Sequence, residues 1–239
     1  MKTARLALAF LLALAGAAGA AHADTKIVAR QHRDAFMGQP AQDGAKTTWI
    51  GKDGLRAEDD ESVLLILPAA KKMYLCDKGR KSCGAIDIPI DFAKLVGPEE
   101  AAQLQAMLTQ LKPSVAVKDT GETKQIGAWK TRKYVLTLSS AMVTTEQEIW
   151  TTSDVRPDTA GAYRDMLAGM QDALPTMAEL AKTTRALEGM PILTISKASV
   201  AGQTVTTSQE IVSIDEAAAP SGAYAIPAGY AVAKFNPLG

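Results

Sequence analysis

Val63-Leu-Leu-Ile-Leu67, Met73-Tyr-Leu-Cys76 and Gly84-Ala-Ile-Asp-Ile88 are short apolar runs lying close together in the chain. Their closeness argues for antiparallel pairing, because a parallel crossover needs about a dozen residues or more. Asp77-Lys-Gly-Arg80 is turn chemistry for the second hairpin of this group, and Gly51-Lys-Asp-Gly54 closes an earlier one between Thr47–Ile50 and Leu55–Glu58. With Lys26 to Phe36 in front, the first third of the chain reads as a β-meander.

A helix is expected from Pro98 to Lys112. Proline suits its first turn, Glu99 and Glu100 complement its positive end, and Lys112-Pro113 stops it. Strands resume at Ser114 to Val117, Thr131 to Ser139 and Met142 to Thr152, the last two joined near Ser140-Ala141. A helical pair is predicted from Asp158 to Glu188. Asp158 serves as its N-cap, Pro175 interrupts it, and Thr176-Met-Ala-Glu179 restarts it as a capping box before Gly189. Ile192 to Val200 and Thr204 to Ile214 then flank the turn Ala201-Gly202, and a tail from Ala217 holds one more extended piece near Tyr230 to Phe235. The fold class expected is α+β: a single antiparallel sheet of about ten strands with three helices. A sheet that large tends to curl, and helices arriving in two insertions cover one of its faces.

The N-terminus sets the compartment. Lys2 and Arg5 precede an apolar run from Leu6 to Leu14, and the small residues after it end in Ala21-His22-Ala23. This is the pattern of a cleavable signal peptide over residues 1–23, with the mature single domain at 24–239. The apolar core is too short to span about 30 Å of hydrocarbon, so no transmembrane segment is expected after cleavage. No cysteine near the cleavage point offers a site for a lipid anchor. Over the whole chain 26 basic residues balance 26 acidic ones, and removing the leader leaves a slight acidic excess. No basic patch suited to phosphates stands out, which argues against nucleic acid. The expected location is periplasmic, and the expected state is a monomer.

The chain has 2 cysteines, Cys76 and Cys83. In an oxidising compartment the natural reading is a disulfide across the short loop between them. A metal site needs more ligands than two thiolates, and no histidine lies close in sequence.

Catalytic signatures are lacking. His32 is the one histidine of the mature chain, so Ser-His-Asp and Cys-His catalysis find no nucleophile–base pair. There is no G-x-S-x-G elbow, phosphate loop, dinucleotide fingerprint or H-E-x-x-H. Two sets of carboxylates were weighed for a hydrolase: Glu146 with Glu148, and the run Glu58-Asp59-Asp60-Glu61. Their spacings suit a solvated strand face and a polar turn better. Methionines at 107, 166, 170 and 177 could in principle ligate Cu(I), but without His or Cys beside them they fit core or cavity lining better. No catalytic residue, cofactor or metal is assigned.

Five segments carry a resemblance: Thr48-Thr-Trp-Ile-Gly-Lys-Asp53, Gly121 to Tyr134, Glu148-Ile-Trp-Thr-Thr-Ser-Asp154, Gly189-Met-Pro-Ile192 and Ile226-Pro-Ala-Gly-Tyr230. In this order they resemble a periplasmic family of unknown function within the LolA/LolB-like lipoprotein-carrier superfamily. The resemblance implies an incomplete, curved β-barrel whose concave face is covered by the helices, with an apolar cavity between them for acyl chains. Leu104, Met107, Leu108, Tyr163, Met166, Leu167 and Met170 would then line that cavity. It also implies an arginine on an early strand that locks a helical lid, for which Arg30 and Arg33 are the candidates.

The function expected is a non-catalytic binding protein for a hydrophobic small molecule, a lipid or the acyl chain of a lipidated protein. The alternative is an interaction module that engages an envelope protein through the outer face or an open edge of the sheet. The first check is intact mass: protein purified from the periplasm should begin at Asp24 and weigh one pair of hydrogens less than its reduced form. A longer N-terminus, or no change on reduction, would remove the leader or the disulfide from this account.

Overall fold

The computed structural model describes residues 24–36, 38–91, 94, 96–97, 99–103, 106, 114–140, 143–172, 177–200 and 203–235. The expected signal peptide, most of the helix expected over 98–112, and the Pro175 and Thr176 signals lie outside them. Residues 99–103 and 106 are helical.

The hairpins follow the sequence pattern. Strands β1 (Asp24–Arg33), β2 (Gln42–Gly51), β3 (Gly54–Glu58), β4 (Ser62–Leu67), β5 (Lys72–Asp77) and β6 (Ser82–Asp87) form the meander. Gly51 pairs with Gly54 across the first expected turn, and the Arg80 amide donates to Asp77 Oδ1 at 2.7 Å across the second. The later elements are β7 (Ser114–Ile126), β8 (Trp129–Ser139), β9 (Val143–Thr152), helices α1 (Pro157–Asp172) and α2 (Ala178–Ala186), then β10 (Met190–Val200), β11 (Gln203–Ala217) and β12 (Ala231–Lys234).

The strands join one 12-stranded sheet in the order β12-β6-β5-β4-β3-β2-β1-β11-β10-β9-β8-β7. It is open, with β7 and β12 as its two edges. Two expectations need correction. Among the described residues the strands number 12 rather than about ten, because every extended segment named from the sequence, down to the 4-residue β12, joins the same ladder. The sheet is also mixed rather than purely antiparallel, since β12 runs parallel to β6.

Other boundaries moved for local reasons. β7 continues well past Val117, through a bulge between Asp119 and Thr123 that hides the strand in a polar, glycine-containing stretch. Helix α1 begins at Pro157 rather than after an Asp158 cap. Proline has no N–H to leave unsatisfied at the first helical position, and Asp158 in the first turn faces the positive end of the helix. Gly189, expected as the helix stop, instead starts the path into β10. Its φ is +78°, and a Cβ there would lie 2.5 Å from the Thr152 carbonyl oxygen.

Side chains alternate across the sheet, and both of its faces are used. On the face that α1 covers, the register aligns Ile50, Leu55, Ile66, Met73 and Ile86 in one row across β2 to β6. Further along this face Ile27, Ala29, Ile192 and Ile211 pack under Ala160 and Tyr163 of α1. Tyr134, Leu136 and Ile149 pack against Leu180 and Leu187, in and just after α2. On the opposite face Val63, Leu65, Cys76 and Cys83 form a second cluster, closed by Tyr74 and by Ile226 and Tyr230 of the tail. Cys76 and Cys83 face each other across β5 and β6 and are joined by a disulfide. The tail thus straps the outer face before β12 docks on β6.

This two-sided burial gives a direct expectation. Leu65 is 0% exposed under the tail, whereas Leu75 is 40% exposed. In urea unfolding, Leu65→Ala should lose about 2–5 kcal/mol, because it removes buried methyls and leaves a void. Leu75→Ala should lose no more than about 1 kcal/mol. Equal losses would contradict a core beneath the tail.

Candidate functional site

Helix α1 touches the sheet tightly on one side only. Tyr163 is 4% exposed, and its hydroxyl accepts a hydrogen bond from Gln209 Nε2 at 3.2 Å. Burial pushes its phenol up to about 12, with the Gln209 bond acting in the opposite direction. Toward β2–β5 the same helix stands off the sheet and leaves a cavity of about 430 Å³. Its floor is the row Ile50, Leu55, Ile66 and Met73, extended by Ile88, and its roof is Ala162, Met166, Gly169 and Met170. Lys71 and Asp165 are the charged residues at its rim.

The space has a cause in the sequence. Ala162 and Gly169, seven residues apart, fall on the same side of the helix and carry almost no bulk there. A methyl group built on Gly169 would meet nothing within 4 Å. Backbone geometry does not require glycine at this position, and a glycine inside a helix costs about 1 kcal/mol relative to alanine. Met166 and Met170, flexible thioethers one turn apart, supply the adaptable part of the roof.

The residues expected to line a cavity divide accordingly. Met166 and Met170 line it. Tyr163 is core, and Leu167 packs against that core rather than the cavity. Leu104, Met107 and Leu108 lie outside the described residues. The sheet residues of the floor were not singled out beforehand, although strand alternation is the signal that could have found Leu55, Ile66 and Met73. Arg30 points to the outer face, 3.5 Å from Glu210, and Arg33 donates to Gln42 at 3.2 Å. Among the described residues neither bonds to a helix.

Of the carboxylates weighed for hydrolysis, Glu58, Asp59, Glu61 and Glu148 have structural partners. Glu148 is 3.3 Å from Lys133 on the outer face, and Glu58 holds Arg56 at 2.6 Å. Asp59 Oδ1 accepts the Glu61 and Ser62 amides at 3.0 and 2.8 Å, which fixes the turn between β3 and β4. No helix among the described residues is long and apolar enough to cross a membrane.

Fold and site together define a class: an open, twisted sheet folded beside a helix, with an apolar cavity between them. The chain belongs to the family described as a domain of unknown function (DUF4412), matched over residues 37–230. No curated protein matches it. Among solved structures it is similar to PNGF-II, at 14% identity and a TM-score of 0.40, over 90% of this chain and 32% of that one. The chain therefore spans about a third of PNGF-II. It is also similar to an outer membrane lipoprotein-sorting protein domain from Vibrio parahaemolyticus, at 9% identity and a TM-score of 0.30, over 81% of this chain and 85% of that one. A DUF1329 family protein from Desulfovibrio piger matches at 9% identity and a TM-score of 0.29, over 86% and 90%.

His32 sits away from the cavity, its Nδ1 2.7 Å from Asp43 and its Nε2 3.1 Å from Asp34. Hydrogen bonds to Asp43 and then Asp34 raise its pKa above the ordinary 6.5. A raised folded-state pKa stabilises the fold fully below the unfolded value, and the contribution fades as pH rises through the folded one. The ring should therefore titrate above 6.5 by NMR. In Asp43→Asn the midpoint should fall, and an unchanged midpoint would remove Asp43 as the cause.

Proposed function

We propose that this chain is a non-catalytic carrier, exported after cleavage at Ala23 as one domain, that holds an apolar ligand between α1 and β2–β5. The ligand class is a lipid or the acyl chain of a lipidated protein, and the compartment is the periplasm. The observation that carries this reading is the cavity of about 430 Å³ between an aliphatic strand row and a methionine-bearing helix. Its size falls within the range of small-ligand sites, and its lining is dominated by apolar groups with few polar ones. Each methylene transferred there from water contributes about 0.8 kcal/mol, so a chain of modest length gains useful affinity without directed bonds. The thioethers of Met166 and Met170 accommodate different chain shapes, which suits a carrier more than a selective enzyme. The Cys76–Cys83 disulfide fits an oxidising compartment.

One observation favours the alternative, a partner protein on the sheet edge: β7 is a 13-residue strand at the end of the sheet, with no strand paired to its outer side among the described residues. Its bulge and its charged residues Lys118, Asp119, Glu122 and Lys124 blunt that edge, so the carrier reading is preferred.

The test is binding of dansyl-undecanoic acid, followed by fluorescence. Wild type should bind it, with displacement by unlabelled palmitate. Gly169→Leu should fold at least as stably, because leucine is a good helix former and meets open space, yet bind about tenfold or more weakly through lost volume. No binding by wild type, or equal binding by Gly169→Leu, would overturn the cavity as the ligand site.

A further inference from the structure

The face of the sheet that α1 covers changes chemistry along its length. At one end it carries the aliphatic row of the cavity. At the other, the register aligns Gln147, Ser196, Thr207, Arg33 and Gln42 across β9, β10, β11, β1 and β2. The next row inward places Thr194, Gln209 and Gln31 side by side. Half-buried polar side chains in a concave surface bind one another, water or a ligand, because leaving a hydroxyl or carboxamide unpaired is unfavourable.

Some of these groups satisfy one another. Gln31 Nε2 donates to Gln209 Oε1 at 3.1 Å, and Gln209 passes the chain on to the Tyr163 hydroxyl at 3.2 Å. That ladder fixes the orientation of both carboxamides and is anchored on α1. Thr194, Ser196 and Thr207 are half-buried, and their hydroxyls have no hydrogen-bond partner among the described residues. They line, with Gln31, Arg33 and Gln209, a pocket of about 370 Å³ walled by the turn between β3 and β4.

All the charged groups lining this pocket except Asp60 are engaged with neighbouring groups, Arg33 donating to Gln42 and His32 lying between Asp43 and Asp34. Asp59 is held by the amides of its own turn, Asp43 by His32, and Glu61 accepts from Gln42 at 3.1 Å. The acidic wall opposes an anion, and the carboxylates already bonded offer little to a cation. What remains is a set of oriented carboxamides and unpaired hydroxyls in a concave polar surface. We propose that this pocket is a second binding site, for a neutral polyhydroxylated ligand, that is, a carbohydrate. Each sugar hydroxyl both donates and accepts, which matches the mixed donor and acceptor character of Gln, Ser and Thr side chains.

The site is separate from the apolar cavity. Thr25, beside Ile50 of the cavity floor, and Gln31 lie six residues apart on β1, about 20 Å at the rise of a strand. The buried Ile27 and Ala29 lie between them. Either site can therefore fail without the other.

The experiment is saturation-transfer NMR on the purified protein with maltotriose, cellotriose and chitotriose, and with choline and inorganic phosphate as charged probes. At least one trisaccharide should receive saturation. The Ser196→Val/Thr207→Val double variant keeps the strand preference of both positions but removes both hydroxyls, and should weaken that binding about tenfold or more. Its dansyl-undecanoic acid binding and its melting temperature should match wild type. Three results would overturn the proposal: silence of all three trisaccharides, tighter binding of phosphate or choline than of any sugar, or sugar binding unchanged in the double variant. Silence of the sugars would make these rows the solvated end of the sheet.

Discussion

Strand β4 carries apolar side chains at five successive positions, Val63 to Leu67, and this uninterrupted run constrains everything around it. Alternation sends Val63 and Leu65 to one face of the sheet and Leu64 and Ile66 to the other, so the meander must be covered from both sides. The chain meets that demand with two unrelated segments. Helix α1 approaches one face from the second half of the sequence. The tail crosses the other, burying Ile226 and Tyr230 against Leu65 and the disulfide before β12 pairs with β6. In the parallel pairing of β12 the tail also covers an edge that would otherwise expose a row of backbone donors and acceptors.

The two coverings differ in quality, and the candidate site arises from that difference. The tail cluster is closed, with Val63, Leu65, Cys76 and Cys83 all nearly inaccessible. Under α1 the packing is tight only where Ala160 and Tyr163 meet Ile27, Ala29 and Ile211. On the β2–β5 side, alanine and glycine replace the large residues that would fill the gap, and Gly169 does so at some cost to the helix itself. Stability given up at one position, with space as the result, is the pattern expected where a fold retains room for a ligand. The far end of the same face is polar rather than apolar, so one helix separates two environments on one continuous sheet.

Much of this was legible beforehand. The hairpins at Gly51–Gly54 and Asp77–Arg80 carry their own turn residues, the two cysteines of the chain lie seven residues apart across one such turn, and the helical pair shows its spacing plainly. Local chemistry fixes these features, so local reading finds them. The second half of β7 escaped because Lys118 to Gln125 is polar and contains Gly121, and only the ladder to β8 across the bulge makes it a strand. The extended piece expected near Tyr230 to Phe235 is β12, but its parallel partner β6 lies far away in the chain and was not legible in it. Of the residues around the cavity, Met166 and Met170 had been singled out through the family resemblance, while the strand floor and the polar rows had not. A cross-strand row is a property of register, and register joins residues far apart in the chain.

By itself, then, the sequence determined the hairpins, the position of most strands, the pairing of the two cysteines and the helical pair, because each depends on interactions between neighbours along the chain. The tertiary structure alone decided that Tyr163 is core, that Leu167 packs beside that core, and that Met166 and Met170 line the cavity. It alone decided that the tail covers the outer face, and that Ile50, Leu55, Ile66 and Met73 form a single floor. These outcomes depend on how far α1 stands from the sheet and which strand lies beside which. Both are set by the summed packing of the whole molecule, which no single segment encodes.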